Sequence, residues 1–136
     1  MNLNELKSST PLPTREAEFI FRGDRTGLFL ELRHASNKAV EKFNERYNAK
    51  IRDLTMRRKL NAINNYARDQ ADELRIAHVA GWRYKDGVDE ENGRPEFSKS
   101  ELRELLKNDV VGFDLRKFID EEVANEEDFL PISEDN

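Results

Sequence analysis

The stretch Val40–Leu54, VEKFNERYNAKIRDL, decides how this chain folds. Its large apolar residues Val40, Phe43, Tyr47, Ile51 and Leu54 recur at intervals of three and four, the spacing of a single stripe on an α-helix. Ser36 stands just upstream as an N-cap. Past Leu54 the stripe ought to continue near position 58, but Arg57, Arg58 and Lys59 stand there and the next apolar anchors are Leu60, Ile63, Ala67, Ala71 and Leu74. At about 100° per residue, Leu60 lies about 120° of arc from the Leu54 seam. The helix therefore breaks near Thr55 or changes neighbours there, and a bundle accounts for either. Gly81 occupies the position of a helix C′ residue, so the long helical region is expected over 36–80.

Upstream the period changes to two. Ala17, Phe19 and Phe21 share one parity, and Leu28, Leu30 and Leu32 alternate with Phe29, Glu31 and Arg33. Between them Gly23–Gly27 reads as a five-residue loop, which predicts a β-hairpin over 16–34. Residues 1–15, with Ser8, Ser9, Thr10, Pro11 and Pro13, read as a flexible arm.

Downstream, residues 81–97 read as a loop in which Trp82 and Tyr84 alternate with Arg83 and Lys85, followed by an Asp86-Gly87 turn and an acidic Val88–Arg94 segment. Ser98 and Glu101 form a capping box, with Phe97 and Leu102 placed to close a hydrophobic staple around it. The helix so opened carries Leu102, Leu105 and Leu106 inward. Gly112 separates it from a last helix with Leu115, Phe118, Ile119 and Val123 inward, then one more turn and an acidic tail, 131–136. The expected fold is mainly α with a small N-terminal β-hairpin (α+β). It is a helical bundle of one long or broken helix plus two or three short C-terminal helices, in a single α-rich domain over 16–130.

Composition agrees with amphipathic helices. Charged residues are 38% of the 136, while Leu, Ile, Val and Phe still supply a quarter. Cysteine is absent, which removes disulfides, thiolate zinc sites and cysteine nucleophiles. No apolar run approaches the ~20 residues that cross a bilayer, and the N-terminus lacks a signal pattern, so no membrane partner is expected. The net charge of −5 is uneven: residues 1–97 carry 18 basic and 16 acidic side chains, residues 98–136 carry 5 and 12. Such asymmetry bears on partners more than on fold.

Motifs for chemistry are sparse. The glycines never fall in a phosphate-loop or dinucleotide spacing. His34 and His78 are the only histidines, and Leu74 and Arg75 occupy the positions where a helical ligand partner of His78 would stand. His78, near a helix C-terminus, is expected to be a positive imidazole favoured by the helix dipole. Asp69, Asp72 and Glu73 read as a solvated face, with Asp72 free to pair with Arg68 or Arg75. No catalytic, cofactor or metal residues are assigned, and an enzyme is not expected. Lys38, Lys42, Arg46 and Lys50 follow one another at i+4 as a basic stripe, partly offset by Glu41 and Glu45. Phe129 and Leu130, apolar in an acidic surround, read as an interaction segment, and Trp82 is a further candidate contact.

Several short motifs carry a resemblance. Gly81-Trp82-Arg83, Asp86-Gly87, Pro95-x-Phe97-Ser98 before Leu105-Leu106, Phe118-Ile119 and Asn125-x-x-x-Phe129-Leu130-Pro131 together look like the tail assembly chaperones of long-tailed (siphovirus-type) bacteriophages. Upstream, Leu28–Leu32 followed by Val40–Phe43 is similar to the strand and charged helix of that family, so the likeness spans about Leu28 to Pro131. The acidic segment Val88–Arg94 departs from the family pattern. The resemblance implies a non-enzymatic assembly factor without cofactors in the cytoplasm of the infected bacterial host. It would bind the tape measure protein, recruit tail tube protein, and leave before the virion matures. A homo-oligomer is compatible, through docking of the basic stripe on a neighbour's acidic segment. Two other readings stand beside it: a small nucleic-acid-binding regulator using the stripe with Arg57, Arg58 and Lys59, and a structural head–tail connector retained in the particle.

Overall fold

A computed structural model describes residues 12–130. Strands β1 (Arg15–Phe21) and β2 (Asp24–Leu32) form the predicted hairpin, but the connection is tighter than a five-residue loop. Phe21 pairs directly with Asp24, and the turn is Arg22-Gly23 with φ of 51° and 86°. Two positive φ values give the turn hand that suits twisted strands, which explains glycine at the second place. Gly27, at φ 74°, lies where the register slips opposite Glu18 and Ile20, so it serves a bulge inside β2. There the Thr26 hydroxyl donates to the Phe19 carbonyl at 2.6 Å, and the Gly27 N–H donates to Glu18 at 3.1 Å.

Two long helices follow, α1 (Lys38–Met56) and α2 (Leu60–Ala77), so the expected break near Thr55 is present. The cap of α1 is Asn37, whose side chain accepts the Ala39 N–H at 2.9 Å; the Ser36 hydroxyl instead accepts the Leu12 N–H at 3.0 Å. Helix α2 ends at His78, and the chain runs straight into a third strand, β3 (Val79–Tyr84), antiparallel to β2 with Leu30 opposite Trp82. Gly81 is therefore a mid-strand residue facing Glu31, correcting its reading as a helix stop, and the loop expected over 81–97 is a strand for its first part.

Helix α3 (Lys99–Leu106) begins as predicted, Ser98 accepting the Glu101 N–H at 3.0 Å, and both it and α4 (Gly112–Ala124) turn the predicted residues inward. Gly112 is the first residue of α4 rather than a spacer, and a Cβ there would come within 2.5 Å of the Leu106 carbonyl, so glycine permits the close approach of α4 to the end of α3. The sheet turns Phe19, Leu28, Leu30 and Leu32 toward Leu102, Leu106, Leu115 and Ile119, and these form one core. On the opposite face Arg83 grips Glu16 in a bidentate pair at 2.6 and 2.8 Å and lies 4.1 Å over the Phe29 ring. The architecture is α+β, a three-stranded antiparallel sheet in the order β1-β2-β3 whose third strand is reached through the α1–α2 hairpin, with α3 and α4 after it.

A 3-10 turn, Glu126–Phe129, closes the described chain. Phe129 is 2% exposed, which corrects its reading as an exposed anchor. Its ring lies under the Arg15 guanidinium at 5.1 Å and edge-on to His34 at 5.2 Å, while Arg15 also pairs with Glu122 and, at 3.5 Å, with Asp128. Residues from the far end of the sequence thus supply the pocket that the acidic neighbours of Phe129 conceal. Leu130 stays half exposed. The N-terminal arm and the 131–136 tail lie outside the described residues, except that 12–15 are tied to the body through the Leu12 bond to Ser36 and the start of β1. Among the described residues no helix is long and apolar enough to cross a membrane.

Candidate docking groove on the helical hairpin

Helix α1 packs on α2 as an antiparallel hairpin, and the turn between them is built by hydrogen bonds rather than by glycine. Lys59 N–H donates to the Leu54 carbonyl and Arg58 N–H to the Thr55 carbonyl, both at 3.0 Å, the paired bonds of a Schellman motif. The left-handed place falls to Arg58, at φ 55°, a conformation that costs a side-chain-bearing residue about 1–2 kcal/mol. Beside it Met56 and Leu60 are 79% and 73% exposed, and Arg57 pairs with Asp53 at 3.3 Å.

The stripe that predicted α1 is only partly covered. Val40 and Leu54 are buried, but Phe43, Tyr47 and Ile51 between them are half-buried, as are Ile63, Tyr66 and Ala67 on α2. Phe43 stacks on Tyr47 with centroids 6.4 Å apart, and Tyr47 on Tyr66 at 5.6 Å. These rings floor a groove of about 600 Å³ between α1, α2 and the start of α3. A smaller hollow of about 250 Å³ opens on Phe43 and Tyr47 beside Ala67, Ala71 and Leu74.

Five cations line the larger groove, Arg33, Lys42, Arg46, Lys99 and Arg103, against one carboxylate, Glu73. Two of the cations are engaged. Arg33 donates to the Ala77 carbonyl at 3.0 Å, and Arg103 makes a bidentate pair with Glu73 at 2.7 and 2.9 Å. That pair holds the Glu73 carboxyl below its ordinary range. Lys42, Arg46 and Lys99 have no ion-pair partner among the described residues; the expected pairing of Lys38 with Glu41 and of Lys42 with Glu45 is not formed. The groove therefore offers positive charge and ring surface, and its carboxylate is locked as an anion.

Of the predicted site residues, the structure brings Lys42 and Arg46 to this groove. Lys38 and Lys50 are exposed on α1 outside its lining, and Arg57, Arg58 and Lys59 sit at the hairpin turn. Trp82 is elsewhere, half-buried against the core with its Nε1–H donated to the Pro95 carbonyl at 2.9 Å. Sequence reasoning missed Tyr66, Lys99 and Arg103. The signal for Tyr66 was a ring one residue before the Ala67 anchor, whereas Lys99 and Arg103 arrive only through the docking of α3.

The Asp72 and Glu73 carboxylates, read from sequence as a solvated face, are instead tertiary clasps. Asp72 accepts from Arg116 at 2.9 and 3.0 Å and from Arg75 at 2.8 Å, and Arg75 reaches on to Asp120. Burial raises the Asp72 pKa, but the hydrogen bonds from Arg116 and Arg75 outweigh it and the net shift is downward. His78 is corrected too: burial lowers its pKa, so it stays neutral, donating Nδ1–H to the Arg33 carbonyl at 2.8 Å. His34 joins Ser36 at 2.9 Å and Glu126 at 3.1 Å, a chain of partners reminiscent of a nucleophile, base and orienter. His34 Nδ1 also accepts the Ser36 backbone N–H at 3.0 Å and the Ser36 oxygen accepts the Leu12 N–H, while the His34–Glu126 contact ties the C-terminal turn to the segment before α1. Among the described residues no cluster of three or more acidic or histidine side chains is placed to hold a metal ion.

Comparison of the chain with protein-family models, with curated proteins and with solved structures gives no match.

Proposed function

We propose that this protein is a tail assembly chaperone that covers a helical client, the tape measure protein of a long-tailed bacteriophage, and releases it as tail tube protein takes its place. The reading rests on the resemblance in sequence. The observation that carries it furthest is the α1–α2 hairpin, whose stripe of Phe43, Tyr47 and Ile51 stays half-buried for want of a third helix. A hairpin with one open seam gives an amphipathic client a place to lay its apolar face. Half-buried rings with a charged rim also suit binding that must later be undone. On this reading the protein acts in the host cytoplasm and is absent from the finished virion.

Coexpression with the cognate tape measure protein is the test. The expected result is co-elution and a tape measure that stays in solution, with both lost when Phe43 and Tyr47 are changed together to Asp. A tape measure that is equally soluble alone, or virions that retain the protein, would count against the reading.

The basic stripe favours a second reading, a nucleic-acid-binding regulator. Phosphate contacts release counterions, so titration with duplex DNA at two salt concentrations would show affinity falling steeply with salt.

A further inference from the structure

The unpaired cations of the groove say something about the chemistry of what fills it. Lys42 and Arg46 stand one turn apart on α1, about 6 Å along its axis, and Lys99 faces them from the first turn of α3. Between these walls lie the rings of Phe43, Tyr47 and Tyr66. A helix laid here would bury apolar side chains on the rings while carboxylates spaced four residues apart meet Lys42 and Arg46 in turn. We propose that the groove between α1, α2 and α3 is a docking site for an acidic amphipathic helix, with Lys42, Arg46 and Lys99 selecting its charge and Phe43 and Tyr47 anchoring its apolar side.

Charge complementarity carries the choice of occupant. The only carboxylate in the lining is consumed by Arg103, so three cations face the opening with no counter-charge from the described chain. A basic or neutral helix would leave them opposed or idle. Nucleic acid fits less well because the three rings stack on one another at interplanar angles of 14° and 18°, which leaves bases only the outer faces of the stack. An apolar side chain asks only for ring surface. The inference rests on the reading of the protein as a helix-binding chaperone and gives its client segment a chemistry.

Two measurements separate the inference from that reading. The first is fluorescence anisotropy of labelled helical peptides of about 20 residues, long enough to hold a helix in water. One carries Leu on its stripe with Glu at every fourth position beside it; its mirror carries Lys in place of Glu. The acidic peptide is expected to bind, and the K42E/R46E variant to weaken it by about tenfold or more while gaining affinity for the basic mirror. K99E is the companion variant. Lys99 is the first residue of α3, where an acidic side chain suits the helix dipole, so folding is preserved and a loss of affinity reports the groove alone. Equal binding of the two peptides by the native protein, or affinity unmoved in both variants, would overturn the inference, as would duplex DNA displacing the peptide.

The second measurement is co-elution of K42E/R46E with tape measure protein. Retention by the native chain and loss by the variant supports groove and chaperone together. Retention by both leaves the chaperone reading standing and removes the groove from it.

Discussion

The sheet with its short helices and the α1–α2 hairpin draw on similar residues and treat them in opposite ways. In the first, Leu30, Leu32, Leu102, Leu106 and Ile119 are sealed from water. In the second, a stripe of equal apolarity leaves Phe43, Tyr47 and Ile51 half in solvent and two large residues bare at the tip. In the body the sheet and the short helices each pack on more than one neighbour, whereas α1 rests chiefly on α2. A helix touching one neighbour can bury only part of its apolar arc. On the proposed reading this separates stability from recognition: the body holds the fold, and the hairpin leaves apolar surface half covered.

That division is broken most directly by truncating one residue on each side. Leu106→Ala should cost about 2–5 kcal/mol by removing buried methyl groups and leaving a cavity. Tyr47→Ala should cost less in a denaturant titration yet abolish peptide binding; equal losses of stability would mean the hairpin belongs to the body energetically. A smaller effect comes from the hairpin turn. Arg58→Gly relieves a left-handed residue and should raise stability by about 1 kcal/mol, with unfolding midpoints as the measure. If the variant is less stable, Arg58 makes contacts that outweigh its backbone cost.

The smallest effect sharpens the comparison at the junction, where His78 ends α2 and opens β3. Its folded pKa lies below the ordinary 6.5 because burial penalises the imidazolium, followed by the bond to the Arg33 carbonyl that opposes this. Above pH 6.5 both folded and unfolded forms are neutral and the group contributes nothing. Below it the unfolded chain takes a proton that the folded one resists, so stability falls as pH drops below 6.5, until the folded imidazole is protonated as well. The carboxylates Asp72 and Glu73 titrate lower still and leave this window clear. Melting temperatures of His78→Asn, which keeps a donor for the carbonyl, should lose that slope.

Local periodicity made much of this fold legible. The alternation of Leu28, Leu30 and Leu32, the α1 stripe, its interruption at Arg57–Lys59, the Ser98 cap and the α4 stripe each write their own conformation within a few residues. What escaped depends on partners distant in the chain. Strand β3 exists because β2 lies beside it, and Gly81 in isolation looks like a helix stop. Phe129 is buried by Arg15 and His34, roughly a hundred residues earlier, while its immediate neighbours are acids. Half of the groove was visible as the Lys42 and Arg46 stripe. The other half, Lys99 and Arg103, is delivered by the docking of α3 through Glu73, a pairing that no spacing announces.

Trp82, the single tryptophan, sits outside the groove with its indole N–H held by Pro95 and its ring edge-on to Phe97 at 5.0 Å. Its intrinsic emission will follow any loosening of β3 and the segment leading to Ser98, and will be largely blind to what enters between Tyr47 and Lys99. One molecule thus carries an optical gauge of its own integrity that a ligand titration leaves undisturbed, so a shift in its spectrum during such a titration would signal rearrangement of the body and not simple occupancy.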